Sequence, residues 1–185
     1  MGRSDPDWAG DLETRRSTSA SFVFFGNALV SASSKQQSVV ATSSCEAEYY
    51  ACCSAASDTM YLRQIASDLG MDVPAEIEAD ASSAVALASR RGLTRIRHME
   101  VKFLWLQDAI DTKKITIRKI RSDENVTDMG TKHVDKNTMS RCITQAGLAP
   151  CDFGDEDKIA KNNASEDTFG QGSTRSFAAS GPPHA

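Results

Sequence analysis

A chain of 185 residues and 20.0 kDa, 40% hydrophobic and 25% charged, has a one-domain length that buries a core without covalent staples, which excludes the small disulfide scaffolds. No apolar run approaches the roughly 18 residues of a membrane span, and Met1-Gly2-Arg3-Ser4-Asp5 has no signal-peptide core, so no membrane partner and an intracellular location, cytoplasm or nucleus, are expected. The net charge of -4 hides a division: residues 1–89 carry twelve acids against five bases, and residues 90–121 carry ten bases against three acids, a local field that can hold a polyanion in an acidic chain.

In chain order, Ser21-Phe22-Val23-Phe24-Phe25 and Ala28-Leu29-Val30 flank the turn pair Gly26-Asn27 and predict a β-hairpin. Ser43-x-x-Glu46 is a capping box, in which the serine accepts from the third helical amide and the glutamate reaches back to the cap amide. A long helix is expected over 46–69, free of Gly and Pro and stopped by Gly70. Ala47, Ala51 and Ala55 let it lie close to a sheet, and Tyr61, Leu62, Ile65, Ala66 and Leu69 recur at the spacing of a buried stripe. Residues 76–80 alternate as a short strand with Asp80 at its end. Helices are expected over 82–89 and 97–110, a strand over 114–121 and a last helix from about Asn125. Trp8, Trp105, Phe22, Phe24 and Phe25 read as core. This order, β-β-β-α-β-α-α-β-α, is an α/β layered domain over 1–148. Residues 149–185, rich in Asn, Ser, Gly and acid, read as a disordered tail.

Cys45, Cys52, Cys53, Cys142 and Cys151 form no C-x-x-C pair, and His98, His133 and His184 are scattered, so free thiols are expected and zinc is not. Four acids instead fall at the ends of predicted elements: Asp5, Glu48, Asp80 and Asp128. Carboxylates that face one another repel unless cations neutralise them, and an all-oxygen set favours Mg²⁺ or Mn²⁺. Two such ions about 4 Å apart can activate water and stabilise the leaving oxygen of a phosphodiester. Asp7, two residues from Asp5 and on the same strand face, competes for the first position. Glu46 competes with Glu48, but the capping box gives Glu46 a structural task.

The words around these acids carry a resemblance. Asp5-Pro6-Asp7-Trp8-Ala9-Gly10-Asp11, Arg15-Arg16-Ser17-Thr18-Ser19, Ser33-Ser34-Lys35-Gln36-Gln37 and Ser43-Ser44-Cys45-Glu46-Ala47-Glu48-Tyr49 resemble the ribonuclease H domain of copia-type retrotransposon polyproteins. Ala79-Asp80, Arg95-Ile96-Arg97-His98-Met99-Glu100 and Thr127-Asp128-Met129-Gly130-Thr131-Lys132 continue the order, and the similarity covers about residues 5–135. It implies a ribonuclease H-like fold, a mixed five-stranded sheet flanked by helices, that cuts the RNA strand of an RNA/DNA hybrid and lies downstream of a reverse transcriptase domain. It also implies that Asp5, Glu48, Asp80 and Asp128 are the catalytic, metal-binding carboxylates. Arg90, Arg91, Arg95, Arg97, His98 and Lys102 then read as phosphate contacts that recognise shape rather than bases, with His98 outside acid/base work.

Four features set the sequence apart, three from the family pattern and one from cellular ribonucleases H. Only four residues precede Asp5, so a truncated first strand with a mobile Asp5 is expected. Ala32 and His133 stand where tryptophan and proline are usual, and the loop Ser122-Asp123-Glu124-Asn125 lacks the histidine of cellular ribonucleases H. The second reading is therefore an inactive remnant that binds nucleic acid or serves as an interaction module.

Overall fold

The β-branched and aromatic run near the N-terminus pairs as the sequence predicts. In the computed structural model, which describes residues 1–90 and 104–149, β1 (Gly2–Asp7), β2 (Thr18–Phe25) and β3 (Ala28–Gln36) form an antiparallel meander. Gly26, at φ 59°, supplies the left-handed turn residue between β2 and β3. β4 (Glu76–Ala79) then joins β1 in parallel and β5 (Thr116–Lys119) joins β4 in parallel, giving the order β3-β2-β1-β4-β5. Parallel neighbours need crossovers, and helices supply them.

Helix α1 (Ser44–Asp68) crosses β1 and β2, with Ala47, Ala51 and Ala55 buried against the sheet. The approach is so close at Gly2 that a Cβ there would stand 2.3 Å from Thr59 Oγ1. α2 (Ser82–Ala88) and α3 (Trp105–Asp111) share the α1 core, which includes Ile77, Ala84, Leu106 and Ile115. On the other face, α4 (Asp128–Thr131) and α5 (Lys136–Gln145) enclose a smaller core of Ala20, Phe22, Phe24, Val126, Cys142 and Ala146. The result is a three-layer α/β/α arrangement.

Four expectations are corrected. The stripe on the last turns of α1 is only partly buried: Ala66 is buried and Leu62 half-buried, but Tyr61, Ile65 and Leu69 are exposed, because a 25-residue helix at about 1.5 Å per residue outruns strands of four to nine residues. Trp8, Trp105 and Phe25 lie at the surface, while Phe22 and Phe24 are core. The helix expected from Asn125 is replaced by a 3-10 turn (Ser122–Glu124), α4 and α5, since polar side chains take the backbone groups a continuous helix would use. The buried Asn125 donates to Ser4 O at 3.0 Å and accepts from the Thr127 hydroxyl at 2.6 Å, and Asp135 caps α5 by accepting from the amides of Asn137 and Thr138. Finally, the first strand is paired along its whole length: all six residues of β1 pair with β2 and Gly2–Ser4 also pair with β4. The Met1 ammonium donates to Phe24 O at 2.9 Å and Met1 O accepts from Phe24 N at 2.8 Å. The expected tail beyond residue 149 lies outside the described residues, as does the first part of the helix expected over 97–110.

Candidate active site

Alternation along β1 turns Gly2 and Ser4 toward α1 and sends Arg3 and Asp5 to the opposite face. There Asp5, only 5% exposed, accepts a hydrogen bond on Oδ2 from Thr131 Oγ1 of α4 at 2.7 Å. Asp80 follows the last residue of β4, one step beyond the end of the parallel ladder. Glu48 comes from the second turn of α1, whose start is set by Ser43 Oγ accepting from Glu46 N at 3.2 Å. One carboxylate oxygen from each of Asp5, Glu48 and Asp80 lies within 4.8 Å of the others.

Glu46, the competitor of Glu48, is consumed by the helix start. Its carboxylate accepts from the Thr42 amide at 2.8 Å, from the Thr42 hydroxyl at 2.7 Å and from the Tyr50 hydroxyl. Asp7, the competitor of Asp5, is outside the trio; its carboxylate fills the space beside Gly10, where a Cβ would stand 1.7 Å from Asp7 Oδ2. Asp128 opens α4 and is held by Lys132, Nζ to Oδ1 2.7 Å, rather than joining the trio at bonding distance.

Crowding shows in the titration of the site. Asp5 is raised to about 7, chiefly by burial and further by Asp128 and Asp80, against the opposing hydrogen bond from Thr131. Glu48 is raised to about 8, again by burial first and then by Asp80 and Asp5. Burial works to lower the Lys132 pKa, but the hydrogen bond with Asp128 and the field of Asp5, Asp128 and Asp80 outweigh it, and the net direction is up. Glu48 Oε2 is buried and has no hydrogen-bond partner among the described residues. Three converging carboxylates, one of which has a buried oxygen without a hydrogen-bond partner among the described residues, fit a hard divalent cation. Thiol chemistry fits poorly, since burial pushes the Cys52 thiol up to about 12 and that of Cys53 in the same direction.

Similarity to known proteins agrees with this geometry. The chain is 30% identical over 149 residues to the retrovirus-related Pol polyprotein from transposon TNT 1-94 of Nicotiana tabacum, covering 80% of this chain and 11% of that protein. It is 25% identical over 148 residues to the Pol polyprotein from transposon RE1 of Arabidopsis thaliana, covering 78% of this chain and 10% of that protein. Its fold matches the crystal structure of LC11-RNase H1 in complex with RNA/DNA hybrid at a TM-score of 0.53 and 16% identity, over 70% of this chain and 91% of that one. The chain is a homologue of transposon Pol polyproteins, folded as a ribonuclease H. It spans about a tenth of the length of those Pol relatives. No family model matches it. Among the described residues of this Pol homologue, no helix is long and apolar enough to cross a membrane.

Of the basic block, Arg90 is exposed just beyond α2. Arg91, Arg95, Arg97, His98 and Lys102 lie outside the described residues. Sequence reasoning assigned no role to Thr131 or Lys132, which hold Asp5 and Asp128, nor to Arg3, Glu78 and Arg118, which form an ion ladder around the buried Glu78 beside the site. A signal for part of this exists: Arg3 and Glu78 precede Asp5 and Asp80 by two residues and so share their strand faces.

Proposed function

We propose that this Pol homologue is a copia-type ribonuclease H domain that hydrolyses the RNA strand of RNA/DNA hybrids endonucleolytically, with Mg²⁺ or Mn²⁺ held by Asp5, Glu48, Asp80 and Asp128, beside a reverse transcriptase domain of a parent polyprotein. The observation that carries the reading is the buried Glu48 Oε2, without a hydrogen-bond partner among the described residues, in a trio of carboxylates. A buried acceptor left without a donor costs about 1–3 kcal/mol, and a cation shared with Asp5 and Asp80 removes that cost. The ribonuclease H fold, shared with a protein solved on an RNA/DNA hybrid, supports it further.

A bound divalent cation supplies Lewis acidity toward the scissile phosphate and acidifies water. The chain's own residues prepare that site. Thr131 fixes one oxygen of Asp5 by donating to it, and Lys132 holds Asp128 while offsetting part of the acidic charge. Because Asp5 and Glu48 are raised toward neutrality, they retain protons near pH 7 without a cation and release them on cation uptake. Arg90, Arg91, Arg95, Arg97, His98 and Lys102 take phosphates of the hybrid, and selection of hybrid over duplex DNA rests on groove shape and the 2'-hydroxyls of the RNA strand.

The test is cleavage of an end-labelled RNA/DNA hybrid with Mg²⁺, with Mn²⁺ and with EDTA. Internal RNA fragments are expected with either ion and none in EDTA, with the matching DNA duplex left intact. Absence of hybrid cleavage at every ion concentration would overturn catalysis. Salt-sensitive hybrid binding that persists in EDTA would then identify a binding module.

A further inference from the structure

The parallel pairing of β1 with β4 runs through Gly2↔Ile77, Arg3↔Glu78 and Ser4↔Ala79 and stops there. Asp5 and Asp80 are the next residue on each strand, so two mutually repelling carboxylates sit at the first unpaired step. One register back on the same face, Glu78 is 2% exposed and lies between two guanidinium groups. Arg3 Nε donates to Glu78 Oε2 at 2.7 Å, and Arg118 Nη2, from the paired position of β5, donates to Glu78 Oε1. Arg3 is itself anchored on two further sides, with its guanidinium 5.4 Å from the centroid of the Phe24 ring and Nη1 donating to Glu124 O at 3.1 Å in the turn that precedes Asp128.

We infer that Arg3, Glu78 and Arg118 are positioning residues: a charged ladder across β1, β4 and β5 that clamps the strands where the carboxylates push them apart and so sets the separation of Asp5 and Asp80. Cross-strand opposite charges are attractive, and the burial of Glu78 makes its carboxylate dependent on both arginines, because loss of either leaves part of that charge unmatched away from water. The ladder also reaches the turn leading into α4 through Arg3, so strands and turn that carry three of the four acids share one anchor. This inference rests on the reading of Asp5 and Asp80 as cation ligands.

The two possible influences of Arg118 on that site have opposite signs. Acting only through its field, Arg118 repels a cation, and its removal tightens binding. Acting as a clamp, it preorganises the ligands, and its removal loosens binding. Its side chain is 61% exposed, so replacement is compatible with folding, which far-UV circular dichroism checks. Calorimetric titration of the full chain with Mg²⁺ is expected to show binding weakened about tenfold or more in Arg118→Gln and in Glu78→Gln, the range for residues that orient metal ligands. Arg118→Lys, which keeps a cation beside Glu78, is expected to recover parental affinity. Binding by Arg118→Gln as tight as the parent's or tighter, or an Arg118→Lys variant as weak as Arg118→Gln, overturns the ladder. Absence of saturable Mg²⁺ binding in the parent overturns the metal reading and the inference with it, an outcome distinct from normal parental binding with an unaffected variant.

Discussion

Glu46 and Glu48 are two residues apart on the same helix, yet their surroundings assign them opposite tasks. Glu46 accepts from the Thr42 amide, the Thr42 hydroxyl and the Tyr50 hydroxyl, so its charge is met by donors that hold the N-terminus of α1 in place. Glu48 faces Asp5 and Asp80, with an oxygen that no donor reaches among the described residues. Glu78 resembles Glu46 in this respect, since arginines from both neighbouring strands neutralise it. Satisfied buried acids stabilise the fold as it stands. An acid crowded by other acids lacks that neutralisation, and under the proposed function a cation supplies it.

The comparison breaks most visibly at Asp80. Asp80→Asn is expected to reduce hybrid cleavage by more than about a hundredfold, because even residues that merely orient metal ligands cost about 10–100-fold when replaced. The parent's melting temperature is expected to rise with Mg²⁺ and that of Asp80→Asn to stay unchanged, and thermal melts with and without the ion test this.

The two helix acids give the next largest contrast. Glu46→Gln should destabilise the chain by about 1–3 kcal/mol, as expected for charged hydrogen bonds lost in a buried setting, and by the same amount in EDTA and in Mg²⁺. Glu48→Gln should leave stability in EDTA at neutral pH undiminished, since the carboxyl it replaces already holds a proton there, while eliminating the Mg²⁺ increment. Identical responses of the two variants to Mg²⁺ would erase the distinction drawn between them.

Stability against pH sharpens it further. Asp5 at about 7 and Glu48 at about 8 lie above their ordinary values of 3.8 and 4.5, so the unfolded chain releases these protons first as pH rises. Their contribution to stability is therefore complete below about pH 4 and is lost as pH rises through about 7 to 8. Melting temperature in EDTA should fall across that window and flatten in saturating Mg²⁺. The smallest effect is expected at Thr131→Val, which removes the hydrogen bond favouring charged Asp5. It should cost about 1 kcal/mol and move the midpoint of the EDTA profile to higher pH.

Much of this was legible before any coordinates. The hairpin at Gly26-Asn27, the capped start of α1 and the strand ending at Asp80 depend on neighbours in sequence, and each forms where local chemistry requires. The preference for Glu48 over Glu46 also came from a local rule, because a capping box binds its glutamate to the helix start. Local rules failed at the stripe of Tyr61, Ile65 and Leu69, whose helical spacing is sound but which has no sheet beneath it. They failed again after Asn125, where a side chain reaching 121 residues back to Ser4 ends what would otherwise be helix.

What the sequence by itself determined is the elements from the hairpin to the strand before Asp80 and the acids within or beside them, because period, caps and turns act over a few residues. Only the tertiary structure decided which acids meet. It brought Asp5, Glu48 and Asp80 together, left Asp7 beside Gly10, tied Asp128 to Lys132 and drew Arg3, Glu78 and Arg118 into one ladder. Those outcomes follow from strand order and register, which a core buried on both faces of the sheet selects and which no short stretch of chain contains.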